Sequence, residues 1–113
     1  MALDNARASV TNTSTTTDQV FDLYTVPAGK TALILGCAMA NTGSADVLVS
    51  VRWADASAGA GGTVYSITHR VRIAAGETYY PLAPDYILGE NDVLRVAISA
   101  GTLQCTLTFD VQP

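Results

Sequence analysis

Apolar and polar residues alternate along much of the chain, most plainly near its end. There Leu103, Cys105, Leu107, Phe109 and Val111 share one parity, and Gln104, Thr106, Thr108 and Asp110 share the other. Successive side chains of a strand point to opposite faces, so this run predicts a strand with one wet face. Leu94, Val96 and Ile98, set against Arg95 and Ser99, predict its hairpin partner, with a turn at Ala100-Gly101-Thr102. Residues 63–73 repeat the alternation, with Tyr65, Ile67, His69, Val71 and Ile73 facing away from Ser66, Thr68, Arg70 and Arg72. Val47, Val49, Val51 and Trp53 make a further set against Ser50 and Arg52.

Residues 31–40 are apolar on both parities. Leu33, Leu35, Cys37 and Met39 give a heavy face, and Ala32, Ile34, Gly36, Ala38 and Ala40 a thin one. This predicts a central strand covered on both sides, or one that a partner approaches closely.

Turn residues separate these runs: Pro27-Ala28-Gly29-Lys30, Thr42-Gly43-Ser44, the small-residue stretch 55–62, Ala75-Gly76-Glu77, and Leu88 through Asp92. No segment supports a helix of three turns. Roughly seven or more strands at such spacing predict an all-β fold, an antiparallel β-sandwich. VPAGKT at 26–31 and IAAGET at 73–78 echo one another as strand end, glycine turn and strand start. Two related halves suit a jelly roll built from two Greek keys.

Residues 1–17, MALDNARASVTNTSTTT, are polar and lack a sustained apolar period except around Ala8 to Val10. They are expected to form an extended N-terminal arm, ordered on meeting a neighbour, ahead of a sandwich domain over 18–113.

Composition agrees with strands and turns: 49% of the 113 residues are hydrophobic, only 14% are charged, and helix-favouring Glu, Lys and Gln are sparse. A chain of this length buries roughly 65% of its unfolded surface, enough for a real core. A net charge of −4 with scattered basic residues argues against a phosphate-binding surface, so no nucleic-acid partner is expected. Neither a secretory signal nor a membrane-spanning apolar run is read in the sequence, so no membrane partner is expected and synthesis is placed in a cytoplasm.

The search for chemistry returns little. Cys37 and Cys105 fall on apolar parities with no second ligand nearby. They read as two small buried thiols or as a bridge between facing sheets. The sole histidine, His69, lies on the apolar parity of its run and has no G-x-S-x-G partner motif, so it is expected in the core or an interface rather than in a hydrolase triad. The carboxylates Asp46, Asp55, Glu77, Glu90 and Asp92 sit where turn caps are expected. One histidine cannot furnish a cupin-like metal centre. No catalytic residue, cofactor or metal is expected.

Particular stretches carry a resemblance to a known group. The succession VFDLYTVPAGKTALIL at 20–35, ANTGSADVLVSV at 40–51 and ILGENDVLRV at 87–96, behind a Thr-rich leader, resembles small tailed-phage virion structural proteins. That resemblance implies a non-enzymatic capsid decoration or cement protein on the virion surface. It would bind across subunits of the major capsid protein and assemble as a homo-oligomer, a trimer before a dimer. The alternative role is a tail, neck, fibre or baseplate module that binds another tail protein or a host glycan, with Trp53, Tyr79, Tyr80 and Asp85 available as a glycan platform.

Two stretches are expected to supply contacts. The arm offers Leu3, Arg7 and Val10, and an extended strand can add to a neighbour's sheet edge. The stretch 78–87 offers Tyr79, Tyr80 and Tyr86; its two prolines exclude it from a sheet centre, and tyrosine pairs a large apolar face with a polar tip.

Overall fold

A computed structural model describes residues 2–12, 18–56, 63–81 and 86–113. Its elements in chain order are β1 (Ala2–Asn12), β2 (Gln19–Thr25), β3 (Thr31–Asn41), β4 (Val47–Asp55), β5 (Thr63–Ile73), β6 (Thr78–Tyr79), β7 (Tyr86–Leu88), β8 (Val93–Ile98) and β9 (Gly101–Gln112). No helix occurs among the described residues.

The strands form two antiparallel sheets. One has the order β1-β9-β3-β6, with β7 also pairing β3; the other has the order β2-β8-β4-β5. The chain therefore crosses between sheets at every connection except the β4–β5 hairpin and the step between β6 and β7. Because β6 and β7 flank the same side of β3, at Met39–Ala40 and at Ala32–Ile34, they act as one interrupted strand. This is the jelly-roll order, the sandwich predicted from the turn spacing.

The core lies between the sheets. Ala32, Ile34, Cys37 and Met39 of β3 and Leu103, Cys105, Leu107 and Phe109 of β9 face Val47, Val49 and Val51 of β4 and Leu94, Val96 and Ile98 of β8, and all are buried. The parity predicted for β8 and β9 is the parity observed. Their pairing is not: the two strands expected to form a hairpin lie in opposite sheets, so the turn between them carries the chain across the core. The echoed turns are also alike: Gly29 and Gly76 adopt φ of 74° and 80°, the left-handed conformation that glycine enters without penalty.

Residues 2–12, expected as an arm, are instead an edge strand. β1 pairs with β9 from Ala2↔Val111 to Asn12↔Gly101, and Val10 is buried. The amide of Asn12 closes this strand onto the other sheet, donating to the carbonyls of Ile98 and Ser99 at 2.9 and 3.1 Å. Main-chain pairing to β9, together with Ala6, Ala8 and Val10 against the core, supplies the order that the polar composition hides. Residues 13–17 of the expected arm lie outside the described residues.

Two other expectations change because strands carry bulges. In β3 the pairing with β9 shifts between Ile34 and Gly36, so one extra residue, Leu35, reverses the facing of the rest of the strand. Ala32 and Ile34 point inward before it, Cys37 and Met39 after it, and Leu35 is 38% exposed. Each predicted face is thus split at its middle. In β5 the pairing with β4 shifts twice, once to each side of Thr68, and Arg70 adopts φ of 48°. Thr68 turns inward and His69, expected on the apolar face, is exposed.

Cys37 and Cys105 are free and buried on neighbouring strands of the same sheet, which excludes the bridge between facing sheets. Burial pushes the Cys37 thiol up to about 12, with a smaller push from Cys105, and burial pushes Cys105 up to about 11. Neither thiol is a nucleophile at neutral pH.

Candidate functional site

Among the described residues, the two short strands β6 and β7 cover only part of the sheet that faces them. β5 runs for 11 residues along the edge of its sheet, whereas β7, on the facing sheet, has only 3. Among the described residues, side chains on the inner face of β5 outrun their cover. The result is a wedge between the sheets of about 410 Å³, lined by Trp53, Asp55, Tyr65, Ser66, Ile67 and Tyr86.

Register explains why these residues meet. Trp53 continues the inward parity of Val49 and Val51 and lies opposite Leu94 on one side and Tyr65 on the other. Tyr86 lies opposite the inward-facing Ile34, so its ring projects from the other sheet. The Trp53 and Tyr86 rings meet edge to face, with centroids 6.4 Å apart and planes at 81°. That is a favourable aromatic geometry. Tyr65 forms the lip and is 54% exposed, while Ile67 packs against the core as the floor.

A buried carboxylate fixes the tryptophan. Asp92, 2% exposed, accepts from Trp53 Nε1–H at 3.0 Å and from the Gly89 amide at 2.8 Å through Oδ2, and from the Ala56 amide at 2.8 Å through Oδ1. The β7–β8 turn is thereby tied to the end of β4. With its N–H already bonded, Trp53 offers the wedge a ring surface held in one orientation.

The residues singled out in the sequence are dispersed. Leu3, Arg7 and Val10 belong to β1, whereas Tyr79, Tyr80 and Tyr86 lie beside β3, at the opposite edge of the same sheet. Leu3 pairs with Asp110. Arg7 is exposed, but Val10, at 6% exposure, belongs to the core and offers no surface to a partner. Tyr79 is half-buried opposite Met39, Tyr80 is 70% exposed, and Tyr86 enters the wedge. Trp53 packs against the core and also lines the wedge, Tyr80 does not line it, and Asp85 lies outside the described residues. Tyr65, which the sequence placed among core positions, is the exposed member of the cluster.

Among the described residues no group of three or more His, Cys, Asp or Glu side chains is placed to hold a metal ion. Among the described residues no helix is long and apolar enough to cross a membrane.

An antiparallel jelly-roll sandwich with an open aromatic wedge is thus the class that the fold and site define. No protein-family model matches the chain, and no curated protein matches it. Solved structures do. A crystal structure of PirA is similar over 94% of this chain and 93% of its own, with 18% identity and a TM-score of 0.52. A chain from the structure of infectious bursal disease virus, Gx strain, is similar over 97% of this chain with 12% identity and a TM-score of 0.52, and this protein spans 31% of that longer chain. At these identities the likeness is one of fold.

Proposed function

We propose that this protein is a structural component of a virus particle, without chemistry of its own, and that it decorates the head of a tailed phage by binding across major capsid subunits. The observation that carries the reading is the likeness of fold, over 97% of this jelly-roll chain, to part of a chain from the structure of a virus. The strand and turn motifs that resemble small virion proteins, notably TVPAGK and the ILGENDVLRV run, lend it support.

The surface suits this work. The outer face of the β1-β9-β3 sheet carries small or uncharged residues at its centre, where Gly36, Ala38, Thr106 and Thr108 line a recess beside the exposed Tyr80. A second copy or a capsid subunit can approach such a face closely, and many weak copies on one shell bind by avidity. A trimer suits a threefold position on the shell.

Electron microscopy of particles carrying a gold-labelled copy tests the proposal. Label spread over the head supports it. Label confined to the tail moves the protein to the alternative class of tail, neck or fibre modules, and absence from purified particles removes the virion role altogether.

A further inference from the structure

We propose that the wedge between β5 and β7 is a saccharide-binding site. A sugar ring presents a face of C–H groups and an edge of hydroxyls, so it calls for an aromatic surface flanked by a few hydrogen-bonding groups. The wedge supplies both. Trp53, Tyr65 and Tyr86 give ring surface from both sheets, and Asp55 and Ser66 place a carboxylate and a hydroxyl on the same lining. Its volume of about 410 Å³ falls within the range of small-ligand sites.

Other ligand classes fit less well. The net charge of −4 disfavours phosphates and other anions. A quaternary ammonium group asks for rings arranged around a small gap. Here Trp53 and Tyr86 close edge to face on one another, leaving an open slot beside them rather than a cage around a cation.

The wedge is also built ahead of any ligand. The bond to buried Asp92 holds the Trp53 ring in place, so little order has to be gained on binding. Tyr65 keeps more than half of its surface in water, as a stacking partner for an incoming ring must.

Trp53 is the only tryptophan of the chain, so its fluorescence reports on this site alone. The experiment is a fluorescence titration of the full chain with glucose, galactose, mannose, N-acetylglucosamine, lactose and chitobiose, alongside an array of bacterial surface polysaccharides. At least one of these sugars is expected to give a saturable change. Tyr65→Ala should weaken it about tenfold, the worth of one good stacking contact, and Tyr65→Phe should restore most of the loss. Because Tyr65 is exposed, the thermal midpoint of Tyr65→Ala serves as the folding control. Binding on the array alone, lost in Tyr65→Ala, assigns the ligand to a longer glycan and still supports the site. No saturable response from any sugar or polysaccharide, a response only to choline, or binding that ignores Tyr65→Ala would each overturn the proposal.

Discussion

Trp53 donates its indole N–H to Asp92 at 3.0 Å, and this bond joins the candidate site to the scaffold. Asp92 also holds the Gly89 and Ala56 amides, and its own carbonyl accepts from the Val26 amide at 2.9 Å. One buried residue therefore ties together the β2–β3 region, the end of β4 and the β7–β8 turn.

Asp92→Ala would leave three N–H groups without an acceptor. A buried donor left unpaired costs about 1–3 kcal/mol, and these three are only partly shielded from water, so a net loss of about 2–4 kcal/mol is expected. Trp53→Phe removes one donor together with its acceptor contact and should cost about 1 kcal/mol from the hydrogen bond, less than Asp92→Ala. Urea unfolding of the two variants checks the order; an Asp92→Ala midpoint equal to that of the wild type would contradict the assigned role.

The buried thiols make stability fall in alkali. Both pKa values are raised on folding, from an ordinary value of 9.0 to about 12 for Cys37 and about 11 for Cys105. Above pH 9 the unfolded chain loses thiol protons that the native state still holds, so the native state binds more protons and its stability declines as pH rises. The contribution is intact below about pH 9 and is lost progressively up to about 12. The slope is at most about 1.4 kcal/mol per pH unit for each thiol. Unfolding free energies from pH 8 to 11 for the wild type and for Cys37→Ala/Cys105→Ala isolate this from tyrosine and lysine titration. The double variant should show the shallower decline.

Removing residues 1–12 should damage the fold rather than simply release a tether. Val10 contributes about 1.5–3 kcal/mol by burial, a large share of the about 5–15 kcal/mol that holds a domain. The deletion also bares the long edge of β9 to other chains. Loss of cooperative unfolding, or aggregation in size-exclusion chromatography, is the expected result. A monomer with an unchanged unfolding midpoint would show that β1 is dispensable.

How far the sequence could be read depends on where each strand sits. β8 and β9 are central in their sheets, and β8 meets β4 without a break in register, so their alternation maps directly onto burial. The alternation of β3 and β5 misleads because bulges at Leu35 and around Thr68 leave no mark that separates them from regular strand. Arg70 is a case in point. Its backbone is left-handed at φ of 48°, its amide donates to Ser50 Oγ at 3.0 Å, and its guanidinium pairs with Asp18, just ahead of β2. Nothing in the residue type foretells that conformation. β1 was hidden for another reason: its inward positions are Ala6, Ala8 and Val10, a weak apolar signal on a polar strand. The wedge needed the facing of two sheets. Trp53, Tyr65 and Tyr86 are each visible as aromatic residues, but only the register brings them together.

The pairing of Ala2 with Val111 has a consequence for architecture at a larger scale. The first and last strands run side by side in opposite directions, so a polypeptide entering at β1 and leaving at β9 passes through one corner of the sandwich. Such a unit can be spliced into a host chain through two adjacent linkers without disturbing what lies on either side. Its open wedge, on the edge of the sandwich away from β1, would then face outward from the junction.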